Sequence, residues 1–211
     1  MNIELFIEET KKLGINLTDK QLSQLEEYYK LLVEWNEKIN LTRIIEHGDV
    51  YLKHFYDSLT ISKVIDLNQD LTLVDVGTGA GFPGIVLKIA YPNLKITLID
   101  SLQKRVNFLN EVINKLGLND IKAIHTRAED HKEKYDIVTS RAVANLKLLS
   151  TYCLPLVKEN GYFIPMKANV EEEIIEAKDT IEKLHGKLEK QETFYLPIEE
   201  SLRNILVIRK S

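Results

Sequence analysis

Hydrophobic residues in the first 68 positions recur at helical spacing. Apolar residues at positions 3, 5, 6 and 13 predict a short amphipathic helix that ends at Gly14. Thr18 is a favourable N-cap residue, and a longer helix with one continuous apolar face is predicted to follow it. Residues 47–65 keep the helical spacing and predict two shorter helices. Residues 1–68 are therefore expected to form an N-terminal helical segment.

From residue 69 onward the pattern alternates between strands and helices. Strands are predicted at residues 71–76, 95–99, 121–126, 135–139, 162–166, 187–196 and 204–209. Helices are predicted at residues 83–91, 101–117, 146–157 and 169–184. Ser101 and Gly117 are the expected N-cap and end of the second of these helices, and Pro155 is expected to bend or end the third.

This alternation indicates an α/β domain over residues 69–211. Strands separated by helices form mostly parallel sheets with helices on both faces. The last two strands have no helix between them, so they are expected to pair as a hairpin. The sequence therefore predicts a seven-stranded mixed sheet with one antiparallel edge.

The composition is that of an ordinary globular protein, with 44% hydrophobic and 28% charged residues among 211. No apolar run approaches the ~20 residues of a membrane-spanning helix. The first residues carry acidic side chains where a signal peptide carries basic ones. The single cysteine, Cys153, allows no internal disulfide, which fits a reducing compartment. We expect a cytoplasmic monomer with no membrane partner.

The formal net charge of −4 does not by itself favour a nucleic-acid-binding protein. Phosphate contacts favour a basic face, but that face need only be local. An RNA partner therefore requires a local cluster of lysines and arginines on this chain.

A glycine-rich loop follows the first predicted strand and opens a predicted helix. It reads Val74-Asp75-Val76-Gly77-Thr78-Gly79-Ala80-Gly81-Phe82-Pro83-Gly84. Glycines in such a turn allow a tight fold and let a ligand approach the bare backbone. The loop is expected at the carboxyl edge of the sheet, where doubly wound folds bind ligands.

Two cofactors compete for this loop. Gly79, Gly81 and Gly84 match the G-x-G-x-x-G pattern of nicotinamide dinucleotide sites. Asp100 follows about 20 residues later, where such sites carry their ribose-binding acid. On this pattern alone the chain is a candidate oxidoreductase.

The alternative pattern is acid-x-G-x-G-x-G, formed by Asp75, Gly77, Gly79 and Gly81. An acid at the end of the strand would repel the pyrophosphate of a dinucleotide. It would attract the cationic amino group and sulfonium of S-adenosylmethionine. We therefore prefer S-adenosylmethionine as the cofactor, and the class I Rossmann-like methyltransferase fold.

Two further acidic positions fit this cofactor. Asp100 ends the second strand, where its carboxylate is expected to accept hydrogen bonds from the ribose hydroxyls. Ala128 and Glu129 follow the third strand on the same edge, and their backbone and carboxylate groups are placed to read the adenine. The carboxylate of Asp130 is an alternative for this role.

The fourth strand ends at Thr139-Ser140-Arg141-Ala142 and lacks the Asn/Asp-Pro-Pro-aromatic turn of many amino-group methyltransferases. Cys153 lies in an apolar helical run and is expected to pack in the core, not to act as a nucleophile. An acceptor that is already nucleophilic, such as N7 of guanine, fits both observations. Arg141 is the candidate catalytic residue and also a candidate cofactor contact. Pairing with an acid at the sheet edge is an equally good interpretation.

Residues 35–43 join an aromatic side chain to polar and basic residues at the end of a helix. They are open to three interpretations: an RNA contact, a cap over the cofactor site, or an ordinary turn between helices. His54 and Asp57 stand about one helical turn apart, which favours a structural hydrogen bond over catalysis.

These residues resemble one known family over nearly the whole chain, the bacterial 16S rRNA guanine-N7 methyltransferases G, also called glucose-inhibited division protein B. The matching stretches are Trp35-Asn36, Ile39 to Thr42, His54, Asp57 to Leu59, Asp75 to Gly84, Ala128-Glu129, Ser140 to Ala142 and Lys167. The stretches Gly-Ala-Gly-Phe-Pro-Gly and Trp-Asn…Asn-Leu-Thr are the most specific of them.

The resemblance implies methylation of N7 of one guanine in the decoding-region hairpin of 16S rRNA, either in free rRNA or in the small ribosomal subunit. It implies that Gly77, Phe82, Ala128, Glu129 and Arg141 contact the cofactor. Some members carry a basic C-terminal tail, whereas this sequence ends at Arg209-Lys210-Ser211. The basic surface is then expected to come from individual lysines and arginines. The candidates for RNA binding are Lys38, Arg43, Lys104, Arg105, Lys167 and Arg203.

Two alternatives stay open at this point. One is the nicotinamide-dependent oxidoreductase, which the acid at Asp75 disfavours. The other is an RNA-binding assembly factor that keeps the fold but has lost the chemistry.

Overall fold

The computed structural model describes residues 1–141 and 144–211. The chain begins with helix α1 (Ile3–Lys12), capped by the side chain of Asn2, and helix α2 (Asp19–Asn36). Thr18 and Gln21 form a reciprocal capping box at the start of α2, as the predicted N-cap requires. Gly14 has a φ of +81° just after α1, which confirms it as the point where that helix ends.

The third helical region is continuous. It runs through α3 (His47–Val50), a π-helical stretch (Tyr51–Tyr56), α4 (Asp57–Leu59) and a 3-10 turn (Thr60–Lys63). The prediction of two separate helices is therefore wrong. From position 50 to 61 every residue except Lys53 is buried, including polar ones, so no exposed turn separates two helices.

Within the described residues, seven strands form one mixed sheet in the order β3-β2-β1-β4-β5-β7-β6. The strands are β1 (Thr72–Val76), β2 (Lys95–Asp100), β3 (Ile121–His125), β4 (Tyr135–Arg141), β5 (Val157–Lys167), β6 (Gly186–Tyr195) and β7 (Leu202–Lys210). The first five are parallel, and β7 is antiparallel to both β5 and β6. The predicted mixed sheet and its terminal hairpin are confirmed.

The remaining helices lie between the strands. They are α5 (Gly84–Ala90), α6 (Gln103–Leu116), α7 (Leu146–Cys153) and α8 (Glu171–Lys183). Gly117 ends α6 with a φ of +64°, as predicted, and a 3-10 turn with Pro155 follows α7. The prediction of Ser101 as the N-cap of α6 is wrong. The N-cap position belongs to Leu102, and the Asp100 carboxylate accepts the Leu102 N–H at 3.0 Å.

The sheet has a hydrophobic core on each face. The N-terminal helices, α5 and α6 bury one face, with Phe6, Tyr28 and Leu98 among the buried residues. Helices α7 and α8 bury the other, with Val138 and Phe163 in that core. The N-terminal helical segment thus shares one core with the sheet, and the division at residues 1–68 and 69–211 stays a prediction. No helix in the described part of the chain is both long and apolar enough to span a bilayer.

Candidate active site

The glycine-rich loop connects β1 to α5 in a left-handed backbone path. Gly77, Gly79 and Gly81 have φ angles of +66°, +60° and +101°. A side chain at Gly81 would also collide with the Tyr28 hydroxyl, since an added Cβ would lie 2.5 Å from it. Glycine at position 81 therefore serves the packing of the loop onto α2 as well as its conformation.

Tyr28 of α2 holds this loop from beneath. Its buried hydroxyl donates a hydrogen bond to the Ala80 carbonyl, and its ring packs on Phe82 with 5.4 Å between ring centroids. Sequence reasoning missed Tyr28, because it lies 52 residues from Ala80 and its helix face is merely apolar. The N-terminal segment thus contributes directly to the shape of the ligand-binding loop.

Asp75 lies under the loop, fully buried. Its Oδ2 accepts hydrogen bonds from the Thr78 hydroxyl at 2.7 Å and the Gly84 N–H at 2.8 Å. Its Oδ1 has no partner among the described residues. Burial raises the pKa of the carboxyl to about 7. The structure therefore shows Asp75 shaping the loop, and its contact with the cofactor stays a prediction.

A cavity of about 430 Å³ opens at the carboxyl ends of β1 to β4. Five predicted cofactor residues line it: Gly77, Asp100, Ala128, Glu129 and Arg141. The other predicted cofactor residues, Asp75, Gly79, Gly81 and Phe82, lie outside the described lining. The cavity also includes residues that were not assigned to the cofactor from the sequence: Val76, Ile99, Ser101, Arg105, Thr126, Arg127, Leu149 and Tyr152.

Asp100 connects β2 to the glycine-rich loop. Its Oδ2 accepts the Gly79 N–H at 2.9 Å, and the Arg105 guanidinium lies 3.6 Å from the same oxygen. Only 2% of its side chain is exposed, on the wall of the cavity. This carboxylate fixes the loop and faces the space where a ribose is expected.

The turn after β3 forms the opposite end of the cavity. Ala128 and Glu129 belong to a short 3-10 turn that also contains Asp130. Glu129 is exposed and lies 3.9 Å from the Arg127 guanidinium. Half-buried Tyr152 of α7 joins them in the lining. An aromatic ring beside backbone and carboxylate groups suits an adenine, which offers a flat face and a polar edge.

Arg141 at the end of β4 is held by the N-terminal segment. Its Nη1 donates to the Lys53 carbonyl at 2.9 Å and to Asp57 Oδ2 at 3.2 Å. Its guanidinium also lies 5.2 Å from the Phe82 ring centroid. Arg141 thus pairs with an acid, as one interpretation of the sequence expected, and it also lines the cavity. Ala142, the next residue of the predicted motif, lies outside the described residues.

His54 is a neutral hydrogen-bonding link beside Arg141. Burial and the Arg141 charge lower the pKa of the imidazole to about 3. Arg141 Nη2 lies 2.9 Å from His54 Nδ1, so this nitrogen must accept, because a guanidinium can only donate. The proton is then on Nε2, which lies 2.9 Å from the Thr42 hydroxyl. The expected interaction between His54 and Asp57 is therefore indirect and passes through Arg141.

The stretch from position 35 to 43 contains a structured turn. Asn36 Oδ1 accepts the N–H groups of Leu41 and Thr42, at 2.8 Å and 3.0 Å. The turn presents the Thr42 hydroxyl to His54. The structure therefore shows a turn between helices here, and an RNA contact or a cap over the cofactor site stays a prediction.

A second cavity, of about 290 Å³, lies on the other side of Arg141. Its lining includes Lys167 and Arg203, two of the predicted RNA-binding residues. Lys167 pairs with Glu173 at 2.9 Å, and Arg203 pairs with Asp57 at 3.0 Å. Two other predicted RNA-binding residues, Lys38 and Arg43, are exposed and lie outside the described lining of both cavities.

Comparison with known proteins decides the family. A sequence model of the family described as "rRNA small subunit methyltransferase G" matches residues 21–202. The chain belongs to this family. Curated members named ribosomal RNA small subunit methyltransferase G are 52% identical in Bacillus licheniformis and 53% identical in Bacillus subtilis, each over 217 aligned positions. Each alignment covers 100% of this chain and 91% of the relative.

Solved structures with the same fold are more distant in sequence. A SAM-dependent methyltransferase from Aquifex aeolicus has a TM-score of 0.59 and 19% identity, covering 83% of this chain and 97% of that one. TYW2 from M. jannaschii in complex with AdoMet has a TM-score of 0.60 and 20% identity, covering 79% and 77%. These likenesses show the class I Rossmann-like fold.

Membership in the small subunit methyltransferase G family confirms the predicted family and enzyme class. The family and the fold together bear out S-adenosylmethionine as the cofactor. The roles of individual residues are not decided by these likenesses and stay predictions.

The second cavity was not predicted from the sequence, because its lining residues are spread from position 44 to position 205 of the chain.

Proposed function

We propose that this methyltransferase transfers the methyl group of S-adenosylmethionine to N7 of a single guanine in the decoding-region hairpin of 16S rRNA. The observation that carries the proposal is the 430 Å³ cavity at the carboxyl ends of β1 to β4. Its lining brings together the backbone of Gly77, the buried carboxylate of Asp100, the turn at Ala128 and Glu129, and Arg141, in a chain of this family.

Each end of the cavity suits one part of the cofactor. Gly77 offers open backbone for the methionine end, and the Asp100 carboxylate is positioned to accept hydrogen bonds from the ribose hydroxyls. Ala128 and Glu129 are positioned at the adenine end. Asp75 contributes negative charge beneath the loop when ionised, which favours a cationic ligand.

The chemistry requires little of the protein beyond orientation. S-adenosylmethionine supplies an electrophilic methyl group, and N7 of guanine accepts it with a free lone pair. No proton must leave N7 before the transfer, so no general base is needed. The protein's contribution is to hold both partners in line, which accounts for large rate enhancements in such reactions.

Arg141 is the residue we assign to the reaction centre. It lines both cavities, so its guanidinium lies at the edge where the cofactor space meets the second cavity. Asp57, His54 and the Lys53 carbonyl fix its orientation. A guanidinium fixed in this way can donate a hydrogen bond to O6 of a guanine while N7 stays free to attack.

The RNA partner is assigned to 16S rRNA, free or within the small subunit. Lys38 and Arg43 are exposed and can contact phosphates of the RNA. Lys167 and Arg203 line the second cavity, where we expect them to contact the RNA. We further propose a cytoplasmic monomer with no membrane partner, in keeping with a substrate that is itself cytoplasmic.

The experiment is methyl transfer to unmodified RNA. The protein is incubated with labelled S-adenosylmethionine and small ribosomal subunits, or naked 16S rRNA, that lack native methylation. Selective strand scission then maps any N7-methylguanine. One modified guanine in the decoding-region hairpin is expected. Cofactor binding without label transfer to either substrate would contradict the proposal and favour an assembly factor.

A ligand control tests the cofactor separately. S-adenosylhomocysteine should raise the melting temperature of the protein, because a ligand that binds only the folded state stabilises it. NADH at the same concentration should leave the melting temperature unchanged. The reverse result would favour the oxidoreductase alternative.

A further inference from the structure

The second cavity has a small excess of positive charge, although the whole chain is acidic. Lys53, Arg141, Lys167 and Arg203 line it. Asp57 pairs with both arginines, Glu173 with Lys167 and Glu199 with Lys53, so four cations face three carboxylates. Neutral His54 adds no charge, because burial and Arg141 lower its pKa to about 3. A cationic cavity in a chain of net charge −4 suits a ligand with hydrogen-bond acceptors or negative charge.

Asp57 organises the two arginines. It is 3% exposed, and its carboxylate receives Arg141 on one oxygen at 3.2 Å and Arg203 on the other at 3.0 Å. A buried carboxylate shared between two guanidinium groups holds both side chains in fixed positions. The arginines therefore reach the cavity already oriented, with less side-chain entropy to lose on binding.

One wall of the cavity is aromatic. Phe194 of β6 is only partly buried, and its ring forms part of the lining beside Ile44, Met166 and Ile205. The Lys63 ammonium lies 4.8 Å from the ring centroid. Because Lys63 lies over one face of the ring, a planar heterocycle can stack only on the other face.

The two cavities adjoin at one side chain, Arg141, which lines both of them. A planar group in the second cavity would therefore lie beside this guanidinium, next to the cofactor space. Enzymes that cannot reach their target atom in a stacked base move that base out of the stack into a pocket. The second cavity adjoins the cofactor space, where such a pocket would lie.

We propose that the second cavity is the acceptor-base pocket, which receives the target guanine after it has left the RNA stack. Phe194 stacks on the base, and Arg203, held by Asp57, donates to its O6 and leaves the lone pair of N7 free for the methyl group. The inference rests on the proposed function, since it names the place where that substrate binds. Guanine presents acceptors where adenine presents an amino donor, so fixed guanidinium donors favour guanine.

The stacking contact is tested by pairing a change in the protein with a change in the RNA. Phe194→Leu and the wild type are compared for affinity toward two 16S rRNA hairpins, one intact and one with an abasic site at the target guanine. Loss of the base should weaken wild-type binding about ten-fold, the range of one base–aromatic stack. The same loss should be much smaller for Phe194→Leu, because the contact is already absent.

Two further variants separate a binding role from a structural one. Phe194→Tyr keeps the ring and should restore methylation, whereas Phe194→Leu should lower methylation at subsaturating RNA. Affinity for S-adenosylhomocysteine should be unchanged in both variants, which shows that the fold and the cofactor site are intact.

Arg203→Lys tests the guanidinium, with Arg209→Lys as the matched control. Arg209 lies on the same strand, pairs with Glu189 at 3.6 Å and lies outside the described lining of the cavity. Arg203→Lys should raise KM for RNA at least ten-fold with unchanged affinity for S-adenosylhomocysteine, and Arg209→Lys should leave both unchanged.

The outcomes distinguish the inference from the proposed function. If the wild type methylates the guanine but an abasic target weakens wild type and Phe194→Leu equally, the acceptor-base pocket is overturned and the proposed function stands. Equal KM values for Arg203→Lys and Arg209→Lys would also overturn the pocket. If the wild type transfers no methyl group to any guanine, the proposed function itself fails.

Discussion

Asp75 and Asp100 stand at the carboxyl ends of neighbouring parallel strands, but their surroundings give them different chemistry. Asp75 is fully buried, and this burial raises the pKa of its carboxyl to about 7. Asp100 faces the cavity and accepts N–H groups from Gly79 and Leu102. The first carboxylate supports the loop from below, and the second joins the loop to the cofactor space.

The raised pKa of Asp75 predicts a specific pH dependence of stability. The folded protein holds this proton up to about pH 7, whereas the unfolded chain releases it near the ordinary aspartate pKa of 3.8. Between these values the folded state binds more protons, so the free energy of unfolding falls as pH rises. Asp75→Asn removes the titration. It should match the wild type at about pH 3.5, below the unfolded pKa, and be the more stable protein at about pH 8.

Urea unfolding at both pH values measures this difference. Asp75→Asn keeps an oxygen that can accept from Thr78 and Gly84, so the loop contacts have a replacement. Parallel stability curves for the two proteins across this range would show that Asp75 does not titrate there.

Asp100 predicts a loss of cofactor affinity. Asp100→Ala removes a charged acceptor of the Gly79 N–H and of the expected ribose hydroxyls. Affinity for S-adenosylhomocysteine should fall by roughly 1–3 kcal/mol, the range for hydrogen bonds to charged groups. Isothermal titration calorimetry measures it, with Asp100→Asn as a milder variant. Unchanged affinity in Asp100→Ala would rule out the ribose assignment.

At the scale of elements, helix α2 and the glycine-rich loop act together. Tyr28 donates to the Ala80 carbonyl, and its ring packs between Phe55 and Phe82. The loop is therefore shaped by a helix that precedes it by about fifty positions in the chain. A glycine loop alone, without α2, lacks this support.

Tyr28→Phe tests this support, and Tyr29→Phe is its matched control. Tyr28→Phe keeps the ring but leaves the Ala80 carbonyl without its donor. It should cost about 1 kcal/mol of stability and weaken S-adenosylhomocysteine binding. Tyr29, the next residue, donates to the Ile45 carbonyl far from the loop, so Tyr29→Phe should leave affinity unchanged. Equal affinities for the two variants, measured by calorimetry, would contradict the role of Tyr28.

The ends of helices follow the sequence wherever a local pattern decides them. Thr18 and Gly117 carry their own capping chemistry, and the structure has both helix ends where the sequence predicts them. The prediction for Ser101 is wrong because Asp100, one residue earlier, accepts the N–H of Leu102. The helix break predicted between positions 47 and 65 is wrong. The residues from 50 to 61 are almost all buried, so no exposed turn in the sequence separates the helical stretches.

At the scale of the whole molecule, the helical segment and the sheet are packed as one unit. They share a hydrophobic core, and Arg141 and Arg203 from the sheet both bind Asp57 of the helical segment. Trp35 at the end of α2 packs on Phe108 of α6, with 5.7 Å between ring centroids. Separating the two parts would expose apolar surface on both and leave Asp57 without its partners.

This packing predicts a single cooperative unfolding transition. Trp35 is the only tryptophan, so its fluorescence reports on the contact between α2 and α6. Circular dichroism reports on helices throughout the chain. The two signals should change together during urea unfolding, with one midpoint. An earlier fluorescence transition would show that the helical segment unfolds independently.

The order of elements, the mixed sheet and the position of the first cavity follow from the sequence. Strand periodicity, helix caps and the glycine loop are local signals, and the carboxyl ends of parallel strands meet at one edge. The sequence pattern alone therefore places Gly77, Asp100 and the turn after β3 together, and all three line the first cavity.

The side chains around the carboxyl edge of the sheet depend on tertiary packing and could not be predicted from the sequence. The second cavity combines side chains from α4, β4, β5, β6 and β7, and the partners of Asp57 lie 84 and 146 residues away along the chain. No local pattern encodes such contacts, because packing of the helical segment onto the sheet determines them. The same packing decides which charged residues are free: Lys38 remains exposed, whereas Arg203 becomes the partner of a buried carboxylate.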